Sequence, residues 1–431
     1  MIFDKLNEKI SKLTYLKNPL RGLWHSMIKV FSKIPNTIKA VGLVSFLINA
    51  STLMIFSLFG LYLHDKLHID FSKIGFLDGA VESFSFLMKI FSGVISDIIM
   101  NRKLIFLIGS IFLFVAKPLE AIATSYWPLF QAKFLERIGN GLQSTPRDAI
   151  VGDWAPKDQK ATCFGMRQSL AALGAVVGSI IASILLKKSN GDYQFVFWMA
   201  TIPSILAIFL IIFFVKDKKF QAAPKTKIKE QKKYRKITFG DVKNLGPRYW
   251  ILIGVACTYM VSKVTESIVI LYVVSVLGLP GYMAPICMIC YQLANSFISL
   301  PAGIISDKIK NRENIFIAGI IIFILSDILF IFGTNLIVMI IALICLGAYI
   351  GITQSIFPAK IIDIVPSDLK GTGIGIFNLA CALSFLAGGT MVGYIADHFS
   401  LRHSFIVSSG LATISLIVLF ISKSLNKKFE K

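Results

Sequence analysis

Gly93 to Lys103 reads G-V-I-S-D-I-I-M-N-R-K, and Gly303 to Glu313 reads G-I-I-S-D-K-I-K-N-R-E. Five positions recur in register: Gly93/Gly303, Ser96/Ser306, Asp97/Asp307, Asn101/Asn311 and Arg102/Arg312. The offset of 210 residues persists downstream, where D-W-A-P-K-D-Q-K-A-T from Asp153 aligns with D-I-V-P-S-D-L-K-G-T from Asp363. A period that long is half a protein, not a solenoid unit of about 20–50 residues.

Working outward, the chain of 431 residues is 55% hydrophobic and only 16% charged. Soluble domains carry about 25% charged residues. The deficit is filled by apolar runs of bilayer-spanning length, so an integral membrane protein is expected. A net charge of +21 suggests a nucleic-acid partner at first sight. The basic residues, however, cluster between apolar runs and form no patch with aromatic platforms, so no nucleic-acid partner is expected. The six cysteines all lie in apolar runs and imply no disulfide framework.

Twelve spans are predicted, at about 38–63, 72–97, 104–125, 127–149, 161–186, 195–215, 248–277, 282–306, 314–333, 336–359, 372–396 and 403–422. Each is close to the ~20 residues a bilayer core requires. The domain organisation follows: a basic amphipathic segment 1–36, a six-helix bundle 37–215, a lysine-rich linker 216–247, a second six-helix bundle 248–422 and a tail 423–431. In the first segment Trp24, Met27, Ile28, Phe31 and Ile34 make an apolar stripe opposite Lys29 and Lys33, a pattern that lies flat in the headgroup layer. Of the 45 lysines and arginines, 34 fall on the side of the termini and linker, while Lys66, Lys73, Lys187, Lys188 and Arg402 fall in loops of the opposite side. Positive charge stays inside, so both termini are expected in the cytoplasm. Two copies of one half in sequence form a parallel repeat, an arrangement used by secondary transporters.

Across nearly its whole length the chain resembles the major facilitator superfamily. That family carries G-x-x-x-D-R/K-x-G-R/K-R/K after its second helix and an echo after the eighth. Gly93, Asp97 and Arg102 match the first copy; Gly303, Asp307, Lys308, Lys310 and Arg312 populate the second. Ile98 and Met100 depart from it, where the family has a base and a glycine. Asp153-Pro156-Lys160 and Asp363-Pro366-Lys370 resemble the family's entry to the following helix. The resemblance implies an all-α fold of two six-helix bundles related by a pseudo-two-fold, and a cytoplasmic gate. In that gate Asp97 faces Arg147 and the start of the eleventh helix, and Arg102 reaches Asp153. Simple anchoring of loops at the headgroups is the alternative.

Ionisable residues within a bilayer are costly, about 2.5–3.5 kcal/mol each on insertion scales, and mark candidate sites. The second span carries Asp78, Glu82 and Lys89; the fourth carries Lys133, Glu136 and Arg137. At ~1.5 Å per residue, Glu82 lies about 22 Å from Asp97 and Arg137 about 15 Å from Trp127, both near mid-depth. Lys263 and Glu266, three residues apart, are expected on one face of the seventh helix. A polar central cavity is expected from Arg137, Lys263, Arg167, Gln168, Tyr259, Tyr291, Gln292, Asn295, Tyr349, Gln354 and Asn378. Glu82, Asp78, Glu136 and Glu266 are candidates to carry a coupling proton, since no histidine lies at mid-depth. Internal ion pairs, Glu82–Arg137 and Lys263–Glu266, are the structural alternative. Lys117, Glu120 and Asp327 are expected to be structural.

These features predict proton-coupled transport of a small organic solute across a bacterial plasma membrane by a monomer embedded in the lipid bilayer. Import and a receptor without flux are the alternatives. Gly165, Gly174 and Gly178 match part of the family's exporter pattern in the fifth helix, while Ser179 replaces its proline. Export is therefore favoured over import. No P-loop, H-E-x-x-H or G-x-S-x-G occurs, so neither an enzyme, a cofactor nor a metal is expected. His64, His68, His398 and His403, near Asp65, Asp70 and Asp397, are expected to be polar loop residues of the outer side.

Overall fold

The computed structural model describes residues 34–99, 101–156, 160–217, 245–308, 312–365 and 369–429. The expected amphipathic segment before residue 34 and the linker 218–244 lie outside the described residues. Fourteen α-helices form among the described residues. The first six are α1 Asn36–Leu61, α2 Phe71–Ile99, α3 Arg102–Ile122, α4 Tyr126–Trp154, α5 Lys160–Lys188 and α6 Tyr193–Met199. Next come α7 Thr201–Phe214, α8 Gly246–Val261, α9 Glu266–Val276 and α10 Ala284–Lys308. The last are α11 Arg312–Phe332, α12 Leu336–Ile364, α13 Lys370–His398 and α14 Leu401–Phe429.

Two predicted spans are each made of two helices. Between α6 and α7, Pro203 lacks the N–H that would bond back to Met199, and the helix bends at Ala200. Between α8 and α9 the chain unwinds over Ser262–Thr265, with neither glycine nor proline. Ser262 Oγ instead donates to the Tyr259 carbonyl at 2.8 Å, and Thr265 is extended. A hydroxyl that offers the backbone a local partner competes with the helical ladder.

Nine helical stretches among the described residues are long and apolar enough to cross a membrane. The remaining long helices, α2, α4 and α10, are 29, 29 and 25 residues in length. They carry polar side chains at mid-length, including Asp78, Glu82, Arg137 and Gln292. Long apolar side chains such as Phe213, Phe332 and Ile337 are exposed, as a lipid-facing surface requires.

The repeat is visible in the packing. In the first half α1 packs on α5 and α7, α2 on α4, and α3 on α4 and α7. In the second half α8 packs on α13 and α14, α10 on α12, and α11 on α12 and α14. Each contact has its mate six spans later. The halves meet through α2 with α13 and α5 with α10, again a related pair, and through α1 with α9.

The repeated motif also has a local role. Asn101 Oδ1 accepts from Leu104 N at 3.0 Å and so caps α3. The adjacent Arg102 bonds Asp153 at the end of α4, joining two helix ends that the sequence paired.

Candidate functional site

A cavity of about 550 Å³ lies between the two halves. Its charged lining comes from Asp78 and Glu82 on α2, Arg137 on α4, Lys263 in the unwound segment and Glu266 at the start of α9. Three carboxylates against two cations leave a formal surplus of one negative charge. Arg137 Nη1 lies 3.7 Å from Glu82 Oε2, while its buried Nε has no hydrogen-bond partner. Glu266 Oε1 accepts from Tyr291 Oη at 3.0 Å. Asp78 faces the hydroxyls of Thr265 and Ser267, yet its buried Oδ2 makes no hydrogen bond.

Lys263 is held differently. Its Nζ lies 4.9 Å from the Tyr259 ring centroid, 5.3 Å from Phe385 and 5.8 Å from Tyr349. The cage is rigid: Tyr259 Oη pairs with Thr353 Oγ1 at 2.8 Å, and Phe323 packs on Tyr349 at 4.5 Å. The break between α8 and α9 corrects the expectation that Lys263 and Glu266 share a helical face. Lys263 enters the cavity from the irregular segment and Glu266 from the first turn of α9, and no ion pair joins them among the described residues.

Of the expected cavity residues, Arg137, Lys263, Tyr259, Tyr291, Gln292, Tyr349 and Asn378 line it. Arg167 and Gln168 do not. Arg167 Nη2 donates to Gln168 Oε1 at 2.9 Å, and its Nε lies 3.4 Å from Asp148 on α4. Asn295 turns aside to accept from Ser299 Oγ at 3.1 Å. The side chain of Gln354 lies outside the described residues, as do those of Asp97, Asp307, Arg312 and Asp363 and the surroundings of Gly93 and Gly303. Arg147, expected to face Asp97, donates to Asp148 Oδ1 at 3.2 Å.

Glu136 is also displaced from its expected place. It joins Lys117, Glu120 and Lys133 in a buried quartet between α3 and α4. Lys117 bonds Glu136; Lys133 lies 2.8 Å from Glu136 and 3.3 Å from Glu120; Lys117 lies 3.7 Å from Glu120. Two cations and two anions cancel in formal charge, while the two Glu120 oxygens make no hydrogen bond and are held by charge alone. Asp327, the repeat mate of Lys117, accepts from Ser408 Oγ at 2.5 Å.

The sequence reading passed over Thr265 and Phe385. Phe385 follows Asn378 by seven residues, two helical turns, and that spacing places both on one face.

Toward the sparsely basic face the cavity is closed. Asp397 at the end of α13 bonds the first residues of α2. Gly75 and Gly389 bring the backbones of α2 and α13 so close that a Cβ on either would strike the other's carbonyl. Deeper, Ser83 Oγ donates to the Ala382 carbonyl at 2.5 Å, and across the pseudo-two-fold Ser183 Oγ donates to the Tyr282 carbonyl at 2.7 Å. No three of the face's histidines, aspartates and glutamates converge as metal ligands among the described residues.

The sequence profile of the Major Facilitator Superfamily matches residues 41–389 and 251–430. A protein of Methanocaldococcus jannaschii described as an uncharacterized MFS-type transporter is 26% identical over 360 residues, covering 81% of this chain and 86% of its own. A multidrug resistance protein of Photorhabdus laumondii is 27% identical over 154 residues, 36% of this chain and 37% of its own. The crystal structure of the nucleoside transporter NupG shares the fold at a TM-score of 0.71 and 13% identity, covering 90% of this chain and 99% of that one. The match of the family profile across both halves settles the membership: the chain is a multi-pass membrane protein that belongs to the Major Facilitator Superfamily of transporters.

Proposed function

We propose that the protein is a proton-coupled exporter of a small organic solute, working by alternating access as a monomer in a bacterial plasma membrane with both termini in the cytoplasm. One observation carries the reading: a charged cavity between the halves, closed toward the sparsely basic face by contacts that join α2 to α13 and α5 to the turn that leads into α10. Rocking of the halves would break those contacts and make others at the opposite rim, where Asp97, Arg102, Arg147 and Asp153 and their mates Asp307, Arg312 and Asp363 serve as the gate. Asp78, Glu82 and Glu266 are the groups available to carry the proton.

Asp78 has the geometry for exchange. Its buried, unpartnered oxygen can take either a proton or a cationic group of the solute, not both. Competition for one carboxylate couples inward proton movement to outward solute movement, because each ligand binds the state the other has left. Export is supported further by Gly174 and Gly178 of the partial exporter pattern, which seat α5 against the backbone of α1 at Phe46 and Ala50.

The test is flux in proteoliposomes that hold the full chain and a pH-sensitive dye, challenged with a metabolite panel on either side. Solute-dependent proton movement in the opposite direction is the expected result. Solute flux that ignores an imposed pH gradient removes the coupling. Binding without any flux favours a receptor.

A further inference from the structure

The lining of the cavity leaves three charges without an opposite partner among the described residues: Lys263, Asp78 and Glu266. Arg137 is answered by Glu82 at 3.7 Å, and Glu266 is bound by Tyr291. Lys263 is answered by no carboxylate among the described residues and makes no side-chain hydrogen bond there. Aromatic faces hold an ammonium in place without cancelling its charge or accepting its hydrogens in normal geometry. Lys263 therefore presents a positioned cation that still needs an acceptor. On the other half, Asp78 faces only the neutral hydroxyls of Thr265 and Ser267, and its buried Oδ2 makes no hydrogen bond. A buried polar atom without a partner costs free energy that a ligand or water recovers.

We infer that the cavity is built for a zwitterion: a small solute whose anionic group, a carboxylate or similar oxyanion, docks on Lys263 in its aromatic cage while its ammonium meets Asp78. This rests on the carrier reading above and names its cargo class. The lining also includes the apolar side chains of Phe56, Phe86, Met288, Ile350 and Phe377, so the solute carries a hydrocarbon or aromatic body beside its two charges. The cavity of about 550 Å³ suits such a ligand. The two anchors sit on different halves, so one zwitterion bridges them. A solute with only one charge satisfies one half and leaves the other anchor unanswered.

The test uses purified full-length protein and three probes that share one phenyl body: phenylalanine, its amide, which keeps only the ammonium, and N-acetylphenylalanine, which keeps only the carboxylate. Thermal unfolding at neutral pH is followed against each. Phenylalanine is expected to raise the midpoint most. Lys263→Gln is expected to weaken phenylalanine binding about tenfold or more, to the level of the amide, while leaving the amide unchanged. Lys263→Arg is expected to restore part of the difference. Equal shifts from a singly charged probe, or no shift from any probe, overturn the inference; the wild-type ranking decides this even if a variant does not fold. The carrier reading stands or falls separately, on flux across the metabolite panel.

Discussion

Asp397, near the end of α13, caps the first turn of α2 from the other half of the molecule: Oδ1 accepts from Phe71 N at 2.8 Å and Oδ2 from Ser72 N at 2.8 Å, with the Ser72 hydroxyl as a third donor. A carboxylate at a helix amino terminus answers both the free N–H groups and the positive end of the helix dipole. Here the cap also joins the halves, so it exists only while this face is closed. In the gate proposed at the opposite rim, Asp97 would play the same part for the start of α13.

Asp397→Ala removes the cap in the closed state alone. A helix cap contributes about 1 kcal/mol, so the balance is expected to shift about fivefold toward opening at this face. Accessibility of a cysteine placed at Ser83 to a membrane-impermeant thiol reagent added from this side is expected to rise by a similar factor. Unchanged labelling removes Asp397 from the gate.

Gly389→Val acts on the same interface by shape. A Cβ at Gly389 falls 2.9 Å from Gly79 Cα and closer still to the Gly75 carbonyl, with backbone on every side. Backbone cannot yield as a flexible side chain does, so α2 and α13 must separate. The expected outcome is a protein that folds with its sparsely basic face held open, read by the same labelling at Ser83. Labelling at the wild-type rate in a folded Gly389→Val protein contradicts the close packing.

The buried quartet predicts a sharp asymmetry between single and paired changes. Lys133→Met leaves Glu120 and Glu136 with one lysine between them in a site without solvent, at a cost of about 3–5 kcal/mol. Adding Glu120→Leu restores neutrality and is expected to recover much of that loss. Thermal unfolding of the two variants, with a double-mutant cycle, measures the coupling. Additive losses contradict the quartet as a unit.

Asp78→Asn keeps the shape of the cavity and removes the carboxylate that proton and solute share. Solute-driven proton movement in proteoliposomes is expected to vanish, while exchange of labelled solute for unlabelled solute persists without pH dependence. Retained proton movement passes the role to Glu82 or Glu266.

Much of this architecture is legible in the sequence because a bilayer allows few solutions. Runs of about twenty apolar residues must be helices, and a 210-residue repeat must pair them alike in both halves. Lining residues such as Arg137, Tyr291 and Asn378 were legible because polar side chains in a span have nowhere cheaper to go than a cavity or each other. That second option is where sequence fell short. Glu136 pairs with Lys117, 19 positions earlier, and only the packing of α3 on α4 reveals it. The break at Ser262–Thr265 carries no glycine or proline to announce it. Asp397 looked like any loop acid because its partners stand more than three hundred residues away.

The central claim is that two halves rock about this cavity. The most direct measurement places spin labels at Lys66 and Phe399, exposed positions of the first and second halves on the sparsely basic face, in a background with the six cysteines replaced. Pulsed dipolar spectroscopy then reads the distance between them. The account predicts two populations, a short one as in this structure and a longer one that grows with Asp397→Ala. A single distance, unmoved by that substitution, contradicts it.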